Sequence, residues 1–501
     1  MYIKPIKWTY NPLSLKIMSR SGTNISRMVV KAMGLFSGVQ MLSIVCSVIR
    51  CKLVAMWIGP IGVGLFALWN SVLEMIGAAS NLGIRNSSVR SLAVEQARGD
   101  ESAISRMAAV VRRWSVWLGL GGALLTVALA PLLSTLTFGD EHHIWGFVLL
   151  AVAVLMNSLM NGEHAILQGT SMLRRLASAS VAGSVAGLVL SVPMFYFWRV
   201  DSVLPSVVVC SVVAALCAYI FRKKGCDKQP MSRAEVVKQG GEFVRLGIYM
   251  TIGTVLALIG NYVFMAYLNG AGGTDEVGYY QTGYTLANKY VGLVLTALGM
   301  EFFPRLSRVS HSKRGMELFT SQEINITLFL LTPLVMIMML LRHVVVSLLY
   351  DTAFLVALPC LTWMLVGMVL RATSWCMAFV ILVKGDGRTY VVTEALSVTA
   401  GLGMNIAAYH YFGLTGLGVS FALWYALYNV IIGVVYFGRY RMRLRGGAIG
   451  LAAASVAASV GCAFTVENEA YIAATVLTAV ASVVSLRCLF NLLRGKSAAK
   501  T

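Results

Sequence analysis

Apolar residues occur along the chain in blocks of about twenty, separated by short polar breaks. A helix needs about 20 apolar residues to cross roughly 30 Å of hydrocarbon, and the sequence lacks the short alternating segments typical of membrane barrels. The pattern therefore predicts an all-α polytopic membrane protein with about fourteen transmembrane helices. The predicted spans are Val29–Ile49, Val63–Gly83, Trp114–Leu136, Ile144–Ala165, Leu176–Phe197, Val203–Phe221, Leu246–Leu268, Gly278–Met300, Ile324–Leu341, Phe354–Val383, Tyr390–Phe412, Leu417–Phe437, Gly447–Val466 and Ala470–Leu486.

Composition supports this class and excludes a soluble domain. Of the 501 residues, 58% are hydrophobic and 12% are charged, whereas soluble domains carry about 25% charged residues. The first 28 residues are polar and basic, without the apolar core of a signal peptide. Most of the nine cysteines lie in apolar blocks, and none forms a C-x-x-C pair. We therefore expect no disulfide, no metal site and no cofactor.

The formal net charge of +20 would suggest nucleic acid binding in a soluble protein. Here Lys and Arg concentrate in alternate loops, which is the signature of cytoplasmic loops. The basic loops lie at 85–113, 174–175, 222–245, 305–314 and 439–445, whereas the opposite loops, at 139–143, 269–277, 351–352 and 467–469, are short and nearly free of Lys and Arg. The distribution predicts a multi-pass protein of the bacterial inner membrane with both termini in the cytoplasm, and it predicts no nucleic acid partner.

A weak internal repeat predicts two lobes. Val63–Phe66 and Leu82–Ile84 have counterparts in Val277–Tyr280 and Leu298–Met300, at offsets of 214 to 216 residues. Six spans fit this offset, and six spans preserve orientation, so the repeat is of the parallel type. The predicted regions are an N-terminal cytoplasmic segment (1–28), an N-lobe with spans 1–6 (29–221), a cytoplasmic linker (222–245), a C-lobe with spans 7–12 (246–437), and spans 13–14 with the cytoplasmic tail (438–501).

The lengths of the predicted outer loops bear on the function class. The longest of these loops has only about ten residues. Membrane polymerases and ligases that act on exported glycans usually need a sizeable outer catalytic loop. We therefore expect a transporter and not an enzyme.

Several ionisable side chains lie at membrane depth, where each costs at least about 2.5–3.5 kcal/mol and so needs a partner or a wet cavity. The cationic candidates for a substrate-binding cavity are Arg371, Lys289, Lys52, Arg50 and Lys31. Arg371 is always charged and too deep to reach the headgroups, whereas Lys31, Arg50 and Lys52 can also snorkel. Glu74 is a possible coupling carboxylate, although it can equally pair with a lysine or be protonated.

A cavity lined by these cations suits an anion. Arginine binds phosphate oxygens through two parallel hydrogen bonds, and lysine adds a point charge. The first predicted span has no acidic residue, and no predicted span contains an aspartate. A transporter of cationic drugs would need carboxylates there.

Four stretches resemble the Wzx-type flippases, which belong to the polysaccharide-transporter branch of the multidrug/oligosaccharidyl-lipid/polysaccharide (MOP) superfamily. The first is K-L-V-A-M-W-I-G-P-I-G-V-G-L-F from Lys52, which continues to Asn81–Ile84. The others are Ile166–Gly169 followed by Arg174–Ala177, Val277–Gln281 leading to Phe303–Ser307, and Leu348–Tyr350 before Phe354. The resemblance extends at least from Lys31 to Arg445.

The resemblance implies two six-helix lobes around a central cavity with alternating access, as in MATE-like transporters, plus a C-terminal helix pair. It also implies the cargo, a polyprenyl-pyrophosphate-linked oligosaccharide such as an O-antigen repeat unit, moved from the cytoplasmic to the periplasmic leaflet. Basic residues at Lys31, Lys52 and Arg371 are similar to those of such flippases, whereas Glu74 matches no family position.

Membrane lipids, a glycan polymerase and chain-length machinery are the further partners that the resemblance implies. A lipid II-type flippase and an ion-coupled drug or metabolite antiporter of the same fold remain open as alternatives. The lack of carboxylates in the first predicted span argues against a transporter of cationic drugs, whereas the two flippases differ only in the sugar head, which the sequence does not reveal.

Overall fold

The computed structural model describes residues 42–81, 83–223, 233–445 and 447–498, which are helical almost throughout. Within these residues, nine helices are long and apolar enough to cross a membrane, or ten if one bent pair counts as a single span. The predicted all-α membrane class is therefore confirmed. The number fourteen stays a prediction. Two of the nine segments, Leu173–Ile220 and Gly387–Arg439, each extend over two predicted spans.

The first half contains eight described helices. They are α1 (residues 42–57), α2 (Pro60–Asn81), α3 (Ile84–Arg98), α4 (Glu101–Ala128), α5 (Ala130–Phe138), α6 (Ile144–Gly169), α7 (Leu173–Trp198) and α8 (Val203–Ile220). Helix α6 packs on α4 and α8, and α7 packs on α8. These contacts bring the predicted N-lobe spans together into one bundle.

The second half begins with α9 (Arg233–Gly272) and α10 (Thr274–Tyr284), which leads through a π-helical segment (Thr285–Val291) into α11 (Gly292–Arg308). The remaining helices are α12 (Lys313–Leu340), α13 (Arg342–Leu349), α14 (Leu358–Val383), α15 (Gly387–Gly433), α16 (Ala448–Glu467) and α17 (Tyr471–Ala498). Helix α14 packs along α15, which in turn contacts α9. The final pair, α16 and α17, packs on α12.

Two breaks in the helices have local causes, and only the first departs from the predicted pattern, since the second lies between the predicted spans Tyr390–Phe412 and Leu417–Phe437. The third predicted span is divided into α4 and α5, which bend by 60° at Leu129. Pro131 is in the first turn of α5, where its ring disfavours continuation of the preceding helix. In α15 the bend is at Gly413, whose φ of 60° lies in the left-handed region that glycine tolerates.

Polar segments that the hydropathy pattern assigned to cytoplasmic loops also form helix. Helix α3 ends at Gly99, and the side chain of Asp100 then caps α4 by accepting hydrogen bonds from the backbone N–H groups of Ser102 and Ala103 at 3.0 Å. The bond from Ala103, followed by that from the Ser102 hydroxyl, lowers the pKa of Asp100. Local capping thus extends helices beyond the apolar blocks.

Part of the predicted organisation falls outside the described residues. This applies to the N-terminal segment (1–28), to Lys31 and to residues 224–232 of the predicted linker. Helix α9 begins at Arg233, so the helix continues upstream of the predicted span at Leu246. The region boundaries stay predictions.

The two copies of the predicted repeat touch through a pair of glycines. A Cβ atom on Gly64 of α2 would lie 1.9 Å from the carbonyl oxygen of Thr274, and one on Gly278 of α10 would lie 2.1 Å from the carbonyl oxygen of Pro60. The same spacing of 214 residues separates Gly64 from Gly278 and Pro60 from Thr274. The contact is therefore symmetric between the halves, and it depends on glycine because backbone packs against backbone.

Replacing Gly64 or Gly278 with alanine is expected to force α2 and α10 apart. Overpacking of this kind lowers the free energy of unfolding by about 1–3 kcal/mol, so the thermal midpoint of the purified protein should fall. Gly77→Ala is the matched control, because it lies in α2 with open space around its Cβ position. Equal midpoints for Gly64→Ala and Gly77→Ala would contradict the tight contact.

Candidate functional site

The deep arginine predicted from the sequence is held by three elements of the second half. Arg371 lies half-buried on α14, and its Nη1 donates a hydrogen bond to Oδ1 of Asn288 in the π-helical segment. Its guanidinium carbon is 5.4 Å from the ring centroid of Tyr425 on α15, within the range of a cation–π contact. The charge is thus fixed in position by an amide and an aromatic face.

Arg371 lines a cavity of about 430 Å³ enclosed by α9, α10, the π-helical segment, α14 and α15, which we call the aromatic cavity. Its lining is rich in rings, including Tyr280, Tyr284, Trp375, Tyr390, Trp424 and Tyr428. Amide and hydroxyl groups lie between the rings, among them those of Asn261, Ser397 and Asn405. A polar cavity of this size inside membrane-spanning helices is within the range of ligand sites.

The same cavity contains a carboxylate that the sequence analysis did not single out. Glu394 on α15 accepts a hydrogen bond of 2.6 Å from the hydroxyl of Tyr428. It lies close enough to Arg371 for the two charges to interact. An acidic residue inside the predicted span Tyr390–Phe412 was the signal that could have identified it.

The π-helical segment determines which side chains of the eighth predicted span face the cavity. An inserted residue locally widens the turn, and such segments frequently occur at functional sites. Asn288 lines the aromatic cavity, whereas the neighbouring Lys289 is exposed. A regular helix period applied to the sequence does not predict which of these two side chains lines the cavity.

Glu74 and Lys289 are exposed on opposite halves of the protein. Glu74 and Arg371 both act electrostatically on the hydroxyl of Tyr284, which places Glu74 near the aromatic cavity. Lys289 acts electrostatically on Cys51 within α1. Neither interaction tests the predicted roles of Glu74 and Lys289, which stay predictions.

Arg50 and Lys52 point in different directions, because residues two positions apart do not share a helix face. The Nζ of Lys52 donates a 3.0 Å hydrogen bond to the carbonyl oxygen of Ser347 in α13. Arg50 instead lines a second cavity of about 380 Å³ in the first half, together with Asn70, His164 and several serines. The structure therefore places Arg50 and Arg371 in separate cavities, while Lys31 is outside the described residues.

Helix α15, which contributes Glu394, is anchored at its beginning by Asp386. The carboxylate accepts a 3.2 Å hydrogen bond from the backbone N–H of Thr389 and forms a 3.0 Å ion pair with Arg439. Burial alone raises the pKa of Asp386, but the hydrogen bonds from Thr389 and Tyr440, with the charge of Arg439, outweigh it and the pKa is lowered. The carboxylate is therefore ionised and able to cap the helix at neutral pH.

Comparison with known proteins places this architecture in a family. A family model described as polysaccharide biosynthesis protein matches residues 53–359, which is more than half of the chain. The chain belongs to this family. It is 23% identical over 355 residues to the lipid III flippase of Escherichia coli (strain K12), covering 70% of this chain and 83% of that protein, and the lipid III flippase of Shigella flexneri matches with the same figures.

Solved structures show the same fold at low sequence identity. The lipid II flippase MurJ in its inward closed conformation has a TM-score of 0.69 at 12% identity, covering 92% of this chain and 99% of that chain. An inward-facing multidrug resistance MATE transporter of the MOP superfamily has a TM-score of 0.67 at 18% identity, covering 82% and 95%. The chain therefore shares the fold of these proteins, one of which belongs to the predicted MOP superfamily, and the relatives are flippases and transporters by name.

Proposed function

We propose that this polysaccharide biosynthesis protein is a flippase that moves a polyprenyl-pyrophosphate-linked oligosaccharide, an O-antigen or related repeat unit, from the cytoplasmic to the periplasmic leaflet by alternating access. The observation that carries the proposal is Arg371 in the aromatic cavity, between membrane-spanning helices. Its charge persists at any physiological pH. A permanent cation kept at membrane depth favours an anionic cargo.

The physical barrier to such a cargo is the loss of water around its polar groups. Moving hydroxyls and a pyrophosphate into hydrocarbon without replacement hydrogen bonds is costly. Amides, hydroxyls and the guanidinium of the aromatic cavity can supply those bonds, while the polyprenyl tail remains in lipid. The likeness to the lipid III flippase supports a lipid-linked cargo.

The candidate residues contribute differently to this proposal. Arg371 binds the anionic group through its remaining N–H groups, in the bidentate manner of arginine. Lys289 and Lys52 are secondary candidates, and Glu74, near the aromatic cavity, is the candidate coupling carboxylate. Arg50 lines a separate cavity. Lys31 stays a candidate from the sequence alone.

A lipid II-type cargo is the second candidate function. The observation in its favour is the fold likeness to the lipid II flippase MurJ over 92% of this chain. Both cargoes present a lipid-linked pyrophosphate to the same cationic side chain, so the difference lies in the sugar head. A comparison of the two lipids in one assay is therefore needed.

Reconstitution into liposomes tests the cargo class directly. A fluorescent polyprenyl-pyrophosphate-linked oligosaccharide is placed in one leaflet, and its movement is followed by quenching from outside. We expect movement of this lipid, and we expect removal of the pyrophosphate to impair it more than variation of the sugar does. Transport of a cationic dye without movement of the lipid would contradict the flippase and favour an antiporter.

The predicted orientation is tested in intact cells. Single cysteines are introduced at Gly270, which lies in a predicted outer loop with open space around its Cβ position, and at Lys228, in the predicted cytoplasmic linker. An impermeant thiol reagent should label Gly270→Cys and leave Lys228→Cys unlabelled, because loops rich in Lys and Arg stay inside. The chain without an added cysteine gives the background, and the reverse labelling pattern would overturn the topology.

A further inference from the structure

The charge balance of the aromatic cavity differs from that of a simple anion site. Arg371 contributes a positive charge, but Glu394 faces the same space and lies within electrostatic range of it. A carboxylate close to a phosphate is repulsive, so a cavity built for pyrophosphate alone gains nothing from Glu394. The cavity as a whole suits a neutral, polar ligand next to an anionic group.

The rings of the cavity provide flat surfaces of fixed orientation. Trp424 and Tyr425 stack with centroids 5.3 Å apart at an interplanar angle of 25°. The indole Nε1 of Trp424 donates a 3.0 Å hydrogen bond to Oγ of Ser397, which holds the ring in place. Ring faces carry partial negative charge and therefore attract the C–H-bearing face of a sugar ring.

The cavity contains both hydrogen-bond donors and hydrogen-bond acceptors that can still bind a ligand. Nδ2 of Asn288 is buried and has no hydrogen-bond partner among the described residues. Arg371 donates from Nη1 to Asn288, which leaves its other N–H groups as donors. Glu394 receives one bond from Tyr428 and retains acceptor capacity. Hydroxyl groups, which both donate and accept, match this mixture.

We propose that the aromatic cavity is a carbohydrate subsite, which holds the sugar attached directly to the pyrophosphate of the cargo. The sugar ring packs against the part of Trp424 that lines the cavity, its hydroxyls bond to Glu394 and Asn288, and Arg371 lies between the sugar and the phosphates. The inference rests on the proposed flippase function and deepens it, because it assigns the selection of the sugar to residues of α14, α15 and the π-helical segment.

A glycine on the same helix as Glu394 makes room for the indole. A Cβ atom on Gly401 would lie 2.4 Å from the ring of Trp424. Gly401→Ala therefore displaces the ring without removing any group that bonds to the ligand. Gly403→Ala is the matched control, because Gly403 lies two positions further on α15 with open space around its Cβ position.

Binding to the purified full-length protein in detergent distinguishes sugar from phosphate recognition. One probe is the oligosaccharide released by mild acid from its lipid carrier, and the other is inorganic pyrophosphate, both titrated calorimetrically. We expect Trp424→Leu and Gly401→Ala to weaken oligosaccharide binding by about tenfold or more, because the stacking surface is lost or moved. Pyrophosphate binding should stay within about twofold.

Two controls separate recognition from folding. Gly403→Ala and Trp117→Leu should bind both probes as the wild type does, since Trp117 is an exposed indole on α4. Thermal unfolding of each variant identifies those that lose structure. If Trp424→Leu does not fold, Gly401→Ala and the milder Trp424→Phe still test the subsite.

The outcomes also separate this inference from the proposed function. Wild-type protein that moves the lipid-linked oligosaccharide in liposomes, but binds the released oligosaccharide equally well in Gly401→Ala, Trp424→Phe and wild type, would overturn the carbohydrate subsite alone. Failure of the wild type to bind the released oligosaccharide would overturn it as well. Failure to move the lipid would reject the flippase function itself.

Discussion

Replacing Arg371 with alanine is expected to abolish surface glycan and to lower the rate of lipid movement in liposomes by about 30-fold or more. The estimate follows from the cost of truncating one partner of a desolvated, hydrogen-bonded charge pair, about 2–5 kcal/mol. In this variant Asn288 also loses the donor to its Oδ1. Surface glycan staining and the quenching assay measure the two effects.

The conservative variant distinguishes charge from geometry at the same position. Arg371→Lys should retain part of the activity if the charge alone matters, and little of it if the bidentate contact matters. Arg98→Ala is the control, since that arginine is exposed and pairs only locally with Glu95. Normal transport by Arg371→Ala at normal protein abundance would remove Arg371 from the site, whereas loss of the protein itself would assign it a structural role.

The largest expected effect on stability concerns the buried ion pair between Arg112 of α4 and Glu163 of α6. Nε and Nη2 of Arg112 donate to the two carboxylate oxygens at 2.6 and 3.0 Å, and both side chains are largely buried. Arg112→Met leaves the buried carboxylate of Glu163 without this guanidinium, which costs about 3–5 kcal/mol. We expect a strong loss of folded protein, measured by thermal unfolding and by abundance in the membrane.

A second substitution tests whether the ion pair raises the free energy of unfolding or only offsets the cost of burying its two charges. Arg112→Met together with Glu163→Leu replaces the ions by apolar side chains of similar length, and such exchanges are often close to neutral. The double variant should therefore be more stable than Arg112→Met alone. If the two variants unfold at the same temperature, the cost does not come from an uncompensated charge.

The helices could be predicted from the sequence because hydropathy is a local property. The depth of Arg371 followed from the apolar residues on both sides of it, since a long apolar block must cross the membrane whatever surrounds it. The bend next to Pro131 was not predicted, whereas the one at Gly413 lies between two predicted spans. A proline or glycine permits a bend, but the packing of neighbouring helices decides whether the bend occurs.

The grouping of charged residues into cavities could not be predicted, because it depends on rotations of whole helices. The sequence offered Arg50 and Arg371 as members of one cationic set, and the tertiary structure places them in different cavities. It also brings Glu394 from the following helix, and Asn288 from a segment 83 residues earlier in the chain, to Arg371. Within the π-helical segment Asn288 lines the aromatic cavity, while the neighbouring Lys289 is exposed.

The sequence by itself led to the membrane class, to the prediction of a transporter and to the family resemblance. The length of apolar blocks, the loops and the local motifs can all be recognised without knowledge of contacts. The sequence also contained the repeat, in which Gly64 and Gly278 lie at equivalent positions of the two halves. Only the tertiary structure showed why those residues are glycines. Gly64 packs against the carbonyl oxygen of Thr274, and Gly278 packs against the carbonyl oxygen of Pro60. Only the tertiary structure formed the aromatic cavity, because the free energy that orients Trp424, Glu394 and Arg371 comes from contacts between helices and not from any one segment.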